Sequence, residues 1–516
     1  MAIIGSILSR VIELRKTLPA VPVRKNPYRT QKSSFNKLLK KASNTAFGKF
    51  YNFERILASA NPMREFQKTV PIHDYNKIYH EWWHRALENE NNVCWPGVIK
   101  YFALSSGTSE AASKHIPVSN AMLRSIKRTS VMQMLSLAKY ELPEDLLHKG
   151  YLMIGGSTDL NNHGTYFEGD LSGITTGNIP VWFQSFYKPG REIAHEKDWN
   201  VKLEKIVENA KDWDIGFILG VPAWIQIVME KVIERYKLKN IHEIWPNLSI
   251  FVHGGVSFEP YKNGFEKLLG KPLIYIETYL ASEGFLAYQN RPDTHAMKLV
   301  LNNGIFFEFV PFNDDNFTPD GNLVDDPKVM LIDEIQEGKD YAILISTNAG
   351  AWRYLIGDTI KFTSKSKCEI VITGRTKHFI SLCGEHLSVE NMNTAAKHIS
   401  EEFNIAIPEY TVHGVEHDSL FAHQWYLACD DHVDVNLLKR GIDNKLKEIN
   451  DDYKTERNHA LKEVFIDVLP IKVFNDWMES KGKSGGQHKF PRVMKGPQLE
   501  DWKNFVEKSK LSLKQS

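Results

Sequence analysis

A chain of 516 residues, 42% hydrophobic and 25% charged, holds enough apolar material for two or more domains with large cores. Its net charge of +1 excludes a strong field for nucleic acid or an anionic membrane, so neither is an expected partner. Four widely spaced cysteines without a C-x-x-C pair argue against a disulfide scaffold and fit a reducing cytoplasm, and no apolar run reaches the roughly eighteen residues of a spanning helix.

The opening "MAIIGSILSRVIELRK" lacks a basic leader and is broken by Arg10, which makes a poor signal peptide. Ile3, Ile4, Ile7, Leu8, Val11, Ile12 and Leu14 follow the spacing of a packed amphipathic helix. The remainder of the first hundred or so residues reads as helical and polar. Within it, "HEWWH" at His80–His84 matches a zinc-protease pattern, two imidazoles one helical turn apart around a glutamate. No downstream H-x-x-G-x-x-H supplies a third ligand, so a zinc hydrolase using His80, Glu81 and His84 is the lesser reading and an aromatic-rich packed helix the greater.

Tyr101–Leu104 reads as the end of a buried strand, followed by a loop of small hydroxyl residues, Ser105, Ser106, Gly107, Thr108 and Ser109, with Lys114 beyond it. A long amphipathic helix is expected from Asn120. Backbone N–H groups and hydroxyls in such a turn can surround a phosphate. It is not a Walker A loop: counted from Gly107, the second glycine falls on Ala112 and the lysine on Ser113. The middle of the chain then alternates short apolar runs ("GYLMIGGS", "DIGFILGVP", "LSIFVHGG", "PLIYIETYLASEG", "GIFFEFVPF") with helices such as Ala223–Tyr236, which predicts an α/β fold with an extensive sheet. "ETYLASEG" puts Glu283 at a strand end, where ligands bind in such sheets and where a carboxylate beside phosphates could serve Mg²⁺. In "AWRYLIGDTIKF", Asp358 could accept both hydroxyls of a ribose.

Three β-rich runs, "YAILIST", "DTIKFTS" and "EIVITGR", predict antiparallel strands before a break near Gly374–Arg375. The expected division is a large α/β domain, 1–374, for nucleotide and acyl group, and a small α+β lid domain, 375–516. In the latter, "TGRTKHFISLCGEHLSVE" reads as a hairpin or as a hinge with a loop, and "GKSGGQHKFPRVM" carries Lys489 on a glycine-rich arm.

Each motif alone is weak, but their order resembles that of the luciferase-like adenylate-forming superfamily, which includes the acyl-CoA ligases. "SSGTS" with its later lysine, "ASEG", "RYLIGD" and "QHKFPR" are more closely similar to the auxin-responsive acyl acid–amido synthetase family. Ala111 stands where the plant pattern has glycine, and "YLASEG" is nearer the wider superfamily's form; both point to a bacterial-type relative. The resemblance implies ATP and Mg²⁺, an acyl-adenylate made from a small carboxylic acid, and acyl transfer to an amine, with an amino acid as the expected acceptor; a thiol acceptor, as in acyl-CoA ligases, is the alternative. It implies that Ser105, Ser106, Gly107, Thr108, Ser109 and Lys114 hold phosphate. Gly254 and Gly255 would line the adenine, with Tyr279 and Ser282 in the next nucleotide segment. Glu283 would meet Mg²⁺, Asp358 the ribose, and Arg375 and Lys377 would form the interdomain hinge. Lys489 would be the catalytic lysine brought by the small domain.

Overall fold

The computed structural model describes residues 26–108, 111–143, 145–318, 321–377, 379–481 and 490–513. They divide into two compact units, one running through Ser105 and from His115 to Thr376, the other comprising Ser106–Lys114 and the residues from Lys377 on.

The first unit opens with helix α1 (Pro27–Ala42). Asn26 caps it by accepting the Arg29 N–H at 3.1 Å, and Pro27 occupies the position where a missing N–H costs nothing. Phe35, Leu38, Leu39 and Ala42 are buried along one side of α1, in a core shared with Phe47, Phe53, Phe66 and the fully buried Trp352. Next in the chain come strands β1 (Tyr101–Thr108) and β2 (Ala111–Val118), of which Ser106–Lys114 counts with the second unit, so the polar run expected as a loop continues as strand through Thr108. Leu104 does not end it; only Ser109 and Glu110 separate the two strands, a hairpin spacing. Ser119 caps the next helix, α2 (Asn120–Ser136), by accepting the Met122 N–H at 3.0 Å.

The further strands are β3 (Gly150–Met153), β4 (Asn161–Asn162), β5 (Phe167–Gly169), β6 (Tyr187–Lys188), β7 (Ile215–Gly220), β8 (Ile250–Gly254), β9 (Ile274–Ala281) and β10 (Gly284–Tyr288). After them come β11 (Met297–Leu299), β12 (Ile305–Pro311), β13 (Asp340–Thr347), β14 (Tyr354–Ser364) and β15 (Glu369–Arg375). One sheet has the order β2-β1-β5-β4, the other the eleven-strand order β12-β13-β14-β15-β11-β10-β9-β8-β7-β3-β6. In the large sheet β6, β3, β7, β8 and β9 run parallel, with helix α3 (Pro222–Tyr236) following β7, while every pairing from β9/β10 to β12/β13 is antiparallel. Strand β9 is therefore where the parallel half of the sheet gives way to the antiparallel half.

The second unit is α+β. It contains the short pair β16 (Phe379–Ile380) and β17 (Leu387–Ser388), helix α4 (Val389–Phe403), strands β18 (Tyr410–His417) and β19 (Leu420–Ala428), helix α5 (Val435–Ile449) and β20 (Leu461–Leu469). Strands β18 and β19 pair antiparallel, β19 and β20 parallel. Ser388 and Asn391 cap α4 reciprocally. Large α/β and smaller α+β parts both follow the sequence expectation.

Candidate active site

Strand β8 ends in the glycine pair. A Cβ on Gly254 would sit 2.4 Å from the Thr278 carbonyl, so only glycine lets β8 lie beside β9 there. Gly255 has φ +86°, in the left-handed region that favours glycine. Thr278 Oγ1 donates to the His253 carbonyl at 2.9 Å and fixes the strand ends to each other.

One turn further, Ala281 pairs with Gly284, leaving Ser282 and Glu283 as the two-residue turn between β9 and β10. Glu283 is 9% exposed. On β9 the Tyr279 hydroxyl donates to Asp358 Oδ2, across to strand β14. Asp358 faces Arg375 in the β14/β15 register, and Arg375 Nε lies 3.1 Å from Asp358 Oδ1. A second guanidinium N–H of Arg375 donates to the Ile356 carbonyl at 3.0 Å. The turn, β9 and the β14/β15 pair thus bring Tyr279, Glu283, Asp358 and Arg375 into one electrostatic cluster. Burial, with the Asp358 charge beside it, drives the Tyr279 phenol well above its usual range, so it stays a donor. Burial works against the charge of Arg375, but the carboxylates Asp358 and Glu283 outweigh it and raise its pKa. Burial and the Glu283 charge likewise keep Tyr354 protonated.

A carboxylate offers about four lone-pair sites. Tyr279 and Arg375 use one on each oxygen of Asp358. Among the described residues the other two have no partner.

Three regions of the chain match family models: residues 21–203 the GH3 family N-terminal domain, 298–375 the central domain and 389–498 the C-terminal domain. The chain belongs to the GH3 family. The chain is 24% identical over 331 residues to the indole-3-acetic acid-amido synthetase GH3.4 of Arabidopsis thaliana, covering 59% of this chain and 54% of that protein. Against GH3.2 of the same plant it is 27% identical over 129 residues, 24% of this chain and 23% of the other. The matches thus span about half or less of the length of these curated relatives. The GH3.15 acyl acid amido synthetase structure shares the fold, with TM-score 0.57, 14% identity and 93% of each chain covered. So does 2-hydroxyisobutyryl-CoA ligase bound to 2-HIB-AMP and CoA in the thioesterification state, with TM-score 0.56 and 12% identity over 97% of this chain and 94% of the other.

In this GH3 chain Ser105, Ser106, Gly107 and Thr108 lie on β1 and Lys114 on β2. Ser109, Lys489 and the amphipathic spacing Ile3–Leu14 lie outside the described residues. Lys377 is the first residue after Thr376, where the first unit ends.

The zinc reading of "HEWWH" finds no geometry. The segment forms a single π-helical turn, Tyr79–Trp83, with Trp82 and Trp83 buried in the aromatic core. His84 Nδ1 is 2.9 Å from the Tyr79 carbonyl, and no group of three or more metal-capable side chains occurs among the described residues.

Two buried groups beside the glycine pair escape a motif search. His253 pairs in register with Glu277, so both lie on the β-sheet face that carries Tyr275 and Tyr279. Burial lowers the His253 pKa to about 4, and its Nδ1 has no hydrogen-bond partner among the described residues. Burial, with Glu259 nearby, raises Glu277 to about 7. Strand parity was the signal, since Glu277 and Tyr279 are two residues apart. In the second unit Glu385, within the segment read as a hairpin or as a hinge with a loop, is fully buried. Its carboxylate accepts the N–H groups of Leu382, Cys383 and Gly384 and lies 2.8 Å from His423 Nε2. Burial would raise its pKa, but His423 and these amides hold it down at about 2.

Proposed function

We propose that this GH3 protein joins a small carboxylic acid to an amine, an amino acid in the first instance, by way of an acyl-adenylate formed from ATP. Family membership supports the reaction class. The observation that carries the reading is Asp358, fixed by Tyr279 and Arg375, with Glu283 buried in the turn after β9 beside it.

Asp358 would accept the two ribose hydroxyls on its remaining lone pairs, and Gly254–Gly255 would let the adenine ring approach the backbone. The carboxylate oxygen of the acid attacks the α-phosphorus; a new P–O bond forms and the bridging P–O bond to pyrophosphate breaks. The Ser105–Ser109 run, Lys114 and Lys489 would spread the charge that develops on the phosphate oxygens. Glu283 is a hard, buried oxygen donor of the type Mg²⁺ takes, and the ion would neutralise phosphate charge there. The amine then attacks the acyl carbon, the C–O bond to AMP breaks, and the ammonium proton passes to solvent. Residues 375–516 would act as the lid that shields the water-sensitive adenylate. No described helix is long and apolar enough to cross a membrane, and all four cysteines are buried free thiols, as suits a cytoplasmic enzyme.

A thiol acceptor is the second reading, favoured by the likeness of fold to 2-hydroxyisobutyryl-CoA ligase. A carboxylic-acid library assayed for ATP-dependent pyrophosphate release, with amino acids and then with CoA, tests both. An acid that releases pyrophosphate and yields an amide supports the first; a thioester alone supports the second; no release with any acid contradicts adenylation.

A further inference from the structure

Helices α1 and α2 stand apart from the other described helices of ten residues or more in holding no acidic residue. Each of the rest holds at least two, as α3 does with Glu230 and Glu234 and α5 with Asp443 and Glu448. Helix α1 carries Arg29, Lys32, Lys37, Lys40 and Lys41, and α2 carries Arg124, Lys127 and Arg128. All eight are exposed, and none is ion-paired with a described residue. With eight of the chain's 64 cations and none of its 63 anions on these helices, the rest of the chain is net acidic. The net charge of +1 is therefore the sum of two opposed regions and says nothing of the field at this one.

The two helices are neighbours, although 77 residues lie between Ala42 and Asn120 in the chain. Arg29, Lys37 and Lys41 of α1 and Arg128 of α2 border one open groove, and no acidic residue lines it. Ser34 Oγ of α1 donates to the Leu301 carbonyl at 2.8 Å, and the Ser125 carbonyl of α2 accepts from Asn303, two residues further on. Each helix is about 25 Å long, so the cations are spread over a broad face and not gathered at a point. Along α2 the exposed residues Arg124, Lys127, Arg128, Val131 and Met132 recur at i, i+3, i+4, i+7 and i+8, which is one stripe of a helix. Val131 is 43% and Met132 42% exposed, so the stripe ends in two bare apolar side chains one turn beyond its cations.

We propose that the α1–α2 face is a docking surface for an anionic lipid bilayer, through which the protein associates reversibly with one membrane leaflet. Lipid headgroups supply a plane of negative charge to match a broad acid-free face, and the acyl boundary beneath them takes up Val131 and Met132. A duplex nucleic acid would present phosphate to those two side chains instead, which is why lipid is the better match. The attraction falls off within about 8 Å of the surface at physiological salt, so the association is peripheral and salt-sensitive. It is independent of the proposed reaction.

The test is co-sedimentation of the full-length protein at low salt with two sets of vesicles, phosphatidylcholine alone and equal parts phosphatidylcholine and phosphatidylglycerol. Lys32→Gln/Lys40→Gln/Arg124→Gln/Lys127→Gln neutralises two cations on each helix. Lys211→Gln/Arg235→Gln/Lys239→Gln/Lys267→Gln makes the same net change at exposed residues on other elements of the first unit. The wild-type protein is expected to sediment with the phosphatidylglycerol vesicles, less so as salt is raised, and to stay in solution with phosphatidylcholine. A basic residue at an anionic leaflet contributes about fivefold in binding, so the helix variant should bind at least about tenfold more weakly. The control variant should stay within about twofold of wild type. Melting temperatures check that both variants fold. If the fourfold helix variant melts early, Lys32→Gln/Lys40→Gln and Arg124→Gln/Lys127→Gln replace it, each expected to bind at least about threefold more weakly. No binding of the wild-type protein to either vesicle, equal binding to both, or equal losses in the helix and control variants would each overturn the proposal. So would a helix variant that binds as wild type. Duplex DNA that binds as tightly as the anionic vesicles, and loses that binding in the helix variant, would assign the face to nucleic acid and overturn the proposal too.

Discussion

Replacing Asp358 by Asn keeps the size of the side chain and removes its charge. In the structure that carboxylate accepts from Tyr279 on one oxygen and pairs with Arg375 at 3.1 Å on the other. The amide that replaces it can accept on only one atom, so either Tyr279 or Arg375 is left facing an N–H₂ donor, and one of the two ribose hydroxyls loses its acceptor. Hydrogen bonds to a charged group contribute about 1.5–3 kcal/mol. One lost charge-assisted bond to ribose then weakens nucleotide binding by about 10- to 100-fold. The fold suffers less, because the Arg375 side chain is 29% exposed and water reaches it; about 1–2 kcal/mol is expected. Calorimetric titration with ATP and with AMP reads the first quantity and urea denaturation the second. The loss should be equal for ATP and AMP, since the ribose is common to both. Unchanged affinity for both nucleotides, or a loss for ATP alone, would refute the assignment of Asp358 to the ribose.

Glu308 and Arg353 form a pair with side chains 1% and 5% exposed, and Arg353 also donates to the Gln67 and Val70 carbonyls. Glu308→Ala leaves a buried guanidinium uncompensated and should cost about 3–5 kcal/mol in denaturant titration; a loss below about 1 kcal/mol would mean that water reaches the site. Glu385 has a folded pKa of about 2 against an ordinary 4.5, so its contribution is complete above pH 4.5 and is lost as pH falls from 4.5 toward 2. Glu385→Gln should remove that acid-dependent slope, of order 3 kcal/mol, from the protein's denaturation curve; an identical slope in the variant would contradict a lowered Glu385 pKa in the folded state. Lys489→Ala should impair pyrophosphate release while leaving the melting temperature unchanged, and normal release would remove Lys489 from the chemistry.

The architecture was legible where pattern and length agree. The apolar runs of β7, β8, β9 and β12 are bounded by glycine or proline, and the α3 and α4 sequences have helical spacing, so element types followed from local chemistry. The family resemblance rested on the order of motifs, which composition cannot supply. Less legible was Ser105–Thr108, whose serines and glycine suggest a loop; its place beside β2 in a sheet overrides that local preference and makes it strand. Glu385 was opaque for another reason: its burial depends on three backbone amides and on His423, which lies 38 residues away. Likewise, Tyr279 and Asp358 are 79 residues apart, and the hydroxyl–carboxylate bond that unites them is a product of sheet order, not of either motif. His253 and Glu277 needed strand register, which a single sequence does not state.

A single turnover with acid labelled in both carboxyl oxygens by ¹⁸O addresses the reaction itself. If the acid's oxygen attacks the α-phosphorus and the amine later expels AMP, the AMP recovered carries one ¹⁸O and the pyrophosphate none. Unlabelled AMP, or label in pyrophosphate or inorganic phosphate, would contradict an acyl-adenylate at this centre.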